Sequence, residues 1–156
     1  DAVNASMLIC EMAAFYRTKG ISLIQARENM YKTYGVYYHT QQSFTFEGKA
    51  GMEKMNSIME NLRKNYVAEI GGLKVILFED YLEGISKNVE TGKITEIKLP
   101  KSNVLVFGLT DGAKVIIRPS GTEPKIKAYY TAIGETQSDA QALEKKLAES
   151  FSKLIN

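Results

Sequence analysis

The residue types best suited to holding an anion lie in one short run, Arg118-Pro119-Ser120-Gly121-Thr122-Glu123-Pro124, followed by Lys125 and Lys127. A phosphate site needs several donors converging on one point with little freedom to move. Arg118 offers a planar fork that matches phosphate in bidentate fashion. Ser120 and Thr122 add hydroxyl donors. Gly121 lets the backbone approach closely and is expected to take a positive φ, so that successive amides can form an anion nest. Pro119 and Pro124 stiffen both ends of the segment. On an extended strand Lys125 and Lys127 project to one face and can reach back toward the loop mouth. The same residue types also make an ordinary hairpin connection. Glu123 opposes anion binding unless it turns away or bonds the backbone.

Other chemistries find little support. The sequence has no Gly-x4-Gly-Lys-Ser/Thr phosphate loop, no His-Glu-x-x-His helix and no Gly-x-Ser-x-Gly elbow. Its one cysteine, Cys10, excludes an intramolecular disulfide framework and a cysteine-rich zinc site, and its one histidine, His39, leaves little for an imidazole-based metal centre. Cys10 is expected to be a small buried hydrophobe. The 156 residues carry 20 basic and 18 acidic side chains, a net charge of +2. That balance argues against a nucleic-acid or membrane partner. No apolar run is long enough to span a bilayer, and the expected location is cytoplasmic.

The elements that must position the loop follow from periodicity and punctuation. Asp1 can cap a helix with Ala5, Leu8, Ile9, Met12, Ala13 and Tyr16 at helical spacing, ended by Gly20. Ser22 caps a second helix that stops at Gly35. This hairpin, residues 1–35, is too short to bury a core alone and must lean on something. A chain opening inside a helix is expected of a piece of a longer polypeptide. From residue 36 the pattern changes to a strand over 36–46, then a helix over 48–65 lined by Met52, Met55, Met59, Leu62 and Tyr66. Gly71-Gly72 precedes a strand over 73–80, and residues 81–93 are polar and turn-rich. Strands are expected over 94–99, 103–109, 114–118 and 125–132, with Asp111-Gly112 as a tight hairpin turn. A last helix begins at Ser138, capped through Gln141, with Leu143, Leu147, Phe151 and Leu154 as its buried stripe. The fold class is α+β: an antiparallel sheet with helices packed on one face over 36–156, preceded by the helical hairpin.

The run Arg118-Pro119-Ser120-Gly121-Thr122-Glu123-Pro124-Lys125-Ile126-Lys127 with Tyr129 closely resembles the C-terminal phosphate-binding loop of the α-D-phosphohexomutases, the phosphoglucomutase and phosphomannomutase family. The resemblance extends through residues 99–105 and Asp111-Gly112, and residues 1–35 look like the closing helices of that family's third domain. It implies a TBP-like fourth domain over 36–156, a phosphate exchanged between the two ends of a hexose by way of a phosphoserine and a bisphosphate, and a Mg²⁺ ion in the full-length enzyme. It also implies that Arg118, Ser120, Gly121 and Thr122 hold the phosphate that is not being transferred, with Lys127 as a further basic ligand. The family's phosphoserine, magnesium and sugar-reading loops have no counterpart in these residues. No catalytic residue, metal ligand or turnover is therefore expected of this chain alone, and its partners would be a hexose phosphate or bisphosphate and the upstream domains. The alternative is a structural or oligomerisation module, in which the apolar side of the hairpin pairs two copies of the chain.

Overall fold

The computed structural model describes residues 1–155 and divides into two compact units, Asp1–Val36 and a second that begins at Tyr37. The first is an antiparallel-type helical hairpin of α1 (Ala2–Thr18) and α2 (Leu23–Tyr34). The Asp1 carboxylate accepts from the Asn4 amide 3.0 Å away, satisfying one of the free donors at the start of α1. Ser22 and Gln25 form a reciprocal capping box at α2. Neither helix has a buried residue, and Val3, Met7, Leu8, Ile9 and Phe15 are each more than half exposed. Cys10, expected inside, is exposed with them, because nothing among the described residues covers that side of α1.

The second unit is an open sheet with two helices. Its strands are β1 (Val36–Thr45), β2 (Glu69–Ile70), β3 (Leu73–Asp80), β4 (Ile85–Asn88), β5 (Ile94–Glu96), β6 (Leu105–Leu109), β7 (Lys114–Pro119) and β8 (Lys125–Gly134). They run in the order β1-β8-β7-β6-β3-β4-β5, with β2 added to β3 by a two-residue turn at Gly71-Gly72, both at positive φ. The described registers are all antiparallel. Asp111 (φ 56°) and Gly112 (φ 73°) make the left-handed bend between β6 and β7 that an Asp-Gly pair favours. The helices α3 (Gly48–Lys64) and α4 (Gln137–Ile155) supply the core with Met55, Met59 and Leu62 from one, Leu147, Phe151 and Ile155 from the other. These pack on Phe78, Leu105, Phe107, Val115, Ile117, Ile126 and Ala128.

Three expectations shift. Residues 81–93 contain β4, whose Ile85 and Lys87 alternate with Ser86 and Asn88; a short, half-polar strand has too little apolar character to be legible without its partner β3. The cap of α4 lies at Thr136, two residues before Ser138: the Asp139 carboxylate accepts from the Thr136 amide and hydroxyl, and the Thr136 hydroxyl oxygen accepts from the Asp139 amide. Its stripe then closes on Ile155 instead of Leu154, since Leu147, Phe151 and Ile155 repeat every four residues and stay on the sheet side.

Candidate functional site

The site is built on the hairpin of β7 and β8, whose pleat separates two sets of side chains. Ile117, Ile126 and Ala128 enter the core fully buried. Ile116, Arg118, Lys127 and Tyr129 occupy the opposite face. Arg118 stands directly across from Lys127, and Ile116 across from Tyr129. Like charges directly opposite on an antiparallel pair destabilise the sheet. Here neither cation has an ion-pair or side-chain hydrogen-bond partner among the described residues, whereas Lys125 is paired with Glu123 at 3.1 Å. Glu123 thus spends its charge on a lysine beside the loop.

The loop between the strands is held by its own backbone. The Ser120 amide donates to the Lys125 carbonyl at 2.8 Å, the Lys125 amide donates to the Glu123 carbonyl at 2.7 Å, and the Phe46 amide holds the Pro124 carbonyl at 2.8 Å. The amides of Thr122 and Glu123 both aim at the Ser120 hydroxyl oxygen, at 3.5 and 3.3 Å. Two consecutive N–H groups therefore converge on one oxygen, the arrangement an anion oxygen would use.

A cavity of about 200 Å³ opens here, lined by Arg118, Pro119, Ser120, Gly121, Lys127 and Tyr129. It brings together four of the five residues expected to hold phosphate. Thr122 does not line it; its amide is turned to the Ser120 hydroxyl. Gly121 does not take the expected positive φ, because the turn is closed by the Ser120 hydroxyl and the Lys125 carbonyl instead of by a left-handed residue. A Cβ at Gly121 would meet no atom within 4 Å, so this glycine leaves open space at the cavity wall. Tyr129 is the lining residue that sequence reasoning did not assign to the site. Its place was implicit in the two-residue period of β8, which puts it on the same face as Lys127.

His39 of β1 accepts or donates at 3.1 Å through Nδ1 with the Thr131 hydroxyl, which ties the edge strand to β8 farther along the same hairpin. Among the described residues no three carboxylate, imidazole or thiol groups lie close enough to hold a metal. The cavity wall is cationic, so these side chains do not fit a Mg²⁺ ion. No helix among them is long and apolar enough to cross a membrane.

Residues 55–150 match the family described as phosphoglucomutase/phosphomannomutase, C-terminal domain. The chain belongs to that family. A phosphoglucomutase of Staphylococcus saprophyticus is 36% identical over 131 residues, and one of Staphylococcus aureus (strain bovine RF122) is 42% identical over 131 residues. In both cases the match covers 84% of this chain and 24% of the relative, so the chain spans about a quarter of the length of these proteins. The solved open form of the Paramecium exocytosis-sensitive phosphoprotein pp63/parafusin, a phosphoglucomutase, superimposes with a TM-score of 0.55 over 86% of this chain and 22% of its own, at 15% identity. At that identity the likeness speaks to the fold: an α+β phosphoglucomutase C-terminal domain with helices on an antiparallel sheet. The motif-bearing hairpin of this phosphohexomutase domain, β7 and β8, is among its best-buried parts, with Val115, Ile117, Ile126 and Ala128 sealed on the helix side.

Proposed function

We propose that this chain is the C-terminal part of a phosphohexomutase and that its β7–β8 loop binds the phosphate of a hexose phosphate or bisphosphate that is not being transferred. The observation that carries the reading is the uncompensated pair Arg118 and Lys127, placed opposite each other on one cavity. Like charges facing each other across a strand pair repel, and solvent at this exposed surface keeps that cost small. A dianion between them turns that repulsion into attraction. Arg118 would supply bidentate hydrogen bonds, Ser120 and Thr122 their hydroxyls, Gly121 its amide, and Lys127 a second charge.

In this reading the dianion is gripped without contact to the sugar hydroxyls, so one loop serves either end of a hexose bisphosphate. Binding energy spent at the remote phosphate orients the reacting end toward groups carried elsewhere in the enzyme. Residues 1–35 would close the preceding domain, and 36–156 would form the phosphate-binding one. The phosphoserine and the magnesium belong to segments outside these residues, and the chain alone is expected to turn over no hexose phosphate.

Amide chemical-shift mapping with glucose 1-phosphate or mannose 1-phosphate tests the assignment. Saturable shifts should centre on residues 118–122 and Lys127. Shifts confined to other surfaces, or none at all at tens of millimolar ligand, would refute it.

A further inference from the structure

A cavity of about 200 Å³ is smaller than the roughly 300–1,000 Å³ of pockets that enclose a whole small molecule. It takes a phosphate group without enclosing a whole hexose phosphate, so the carbon skeleton extends past one wall. Five of the six lining residues are a cation, a proline, a serine, a glycine and a second cation; the sixth, Tyr129, is the one aromatic surface. It lies two residues beyond Lys127 on the same face of β8 and diagonal to Arg118 across the hairpin, with diagonal neighbours about 7–8 Å apart, within reach of an aromatic ring. Its side chain is half-buried, and its hydroxyl has no hydrogen-bond partner among the described residues.

We propose that Tyr129 is a specificity-determining residue of this site: its ring is the platform for the sugar carbons next to the bound phosphate. The C–H face of a pyranose offers apolar surface that an aromatic face covers well, and such a contact reads no sugar hydroxyl, so it serves either end of a hexose bisphosphate. Arg118 and Lys127 recognise the charge, and Tyr129 distinguishes a phosphate carried on a ring from a bare one. The inference rests on the phosphate-binding reading above.

The two are separated by comparing two probes, inorganic phosphate and glucose 1-phosphate, by NMR titration of the 156-residue chain. Tyr129→Ala should weaken glucose 1-phosphate about threefold to tenfold and leave inorganic phosphate within about twofold. Tyr129→Phe, which keeps the ring, should recover most of the sugar phosphate affinity. The thermal midpoint of each variant reports folding independently. Equal losses for both probes in Tyr129→Ala, or none for either, would overturn the proposal for Tyr129 while leaving the phosphate site standing. Failure of Arg118→Ala to weaken either probe would overturn the phosphate site itself.

Discussion

Replacing Arg118 by alanine is the perturbation that most directly probes the loop. Two charge-assisted hydrogen bonds to a phosphate are each worth about 1.5–3 kcal/mol over water in favourable settings. Arg118 is exposed on the sheet surface, and high-dielectric solvent reaches the cavity. Solvent screening takes the two bonds together below that range, to about 2 kcal/mol, or about thirtyfold in affinity. From a starting dissociation constant of about 1 mM, near −4 kcal/mol for a loop without the rest of its cleft, the variant should bind near 30 mM. The assay is calorimetric or NMR titration with a hexose phosphate at low ionic strength, repeated at high salt, where screening should narrow the difference. Stability serves as the control. Arg118 has no ion-pair or side-chain hydrogen-bond partner among the described residues, so its removal should change unfolding free energy by less than about 0.5 kcal/mol. A variant that folds as before and titrates like the parent would refute the charge argument. A variant that unfolds would show that Arg118 holds the hairpin together and was misread as a free ligand.

Three further outcomes follow from particular contacts. Glu123→Gln releases Lys125 from its 3.1 Å pair and removes an opposing charge, so the same titration should give about twofold to threefold tighter binding; weaker binding would mean that Glu123 organises the loop. Arg63 donates from Nε to the fully buried Asp80 at 2.6 Å, and Arg63→Ala leaves that carboxylate held only by the Leu82 and Glu83 amides. Denaturant unfolding should show a loss of about 3 kcal/mol, a fall of roughly 6–12 °C in Tm, and a loss under 1 kcal/mol would contradict it. Burial first, then the Glu144 carboxylate, pushes the Tyr130 hydroxyl well above its usual value. The folded state then holds this proton more tightly than the unfolded chain. Its contribution is complete below about pH 10 and is lost as pH rises through the folded value. Tyr130→Phe, which gives up one bond to Gln42 worth about 1 kcal/mol, should flatten the alkaline fall in stability relative to the parent.

Within the sequence, the anion-binding residue types, the turn at Asp111-Gly112, the caps at Asp1 and Ser22 and the core stripe of α3 were legible, because each depends on neighbours within about four positions. The family itself was carried by ten consecutive residues around the loop. The short polar strand β4 was not legible, since its identity depends on β3, and at α4 two cap pairs of equal spacing compete, Thr136 with Asp139 and Ser138 with Gln141, between which the structure chooses the first. The conformation of Gly121 was misjudged for a related reason. The turn around it is closed by bonds to the Ser120 hydroxyl and the Lys125 carbonyl, contacts that a residue type alone does not specify.

What only the tertiary structure decided is the company each charge keeps. Local sequence placed three cations near one loop, but strand register put Arg118 against Lys127, gave Lys125 to Glu123, and added Tyr129 to the wall. Register is a long-range property, chosen because Ile117, Ile126 and Ala128 must all face the helices. A slip of one residue would turn every one of those side chains over. The burial of the apolar set on one side of the hairpin is thus what aligns the cations on the other.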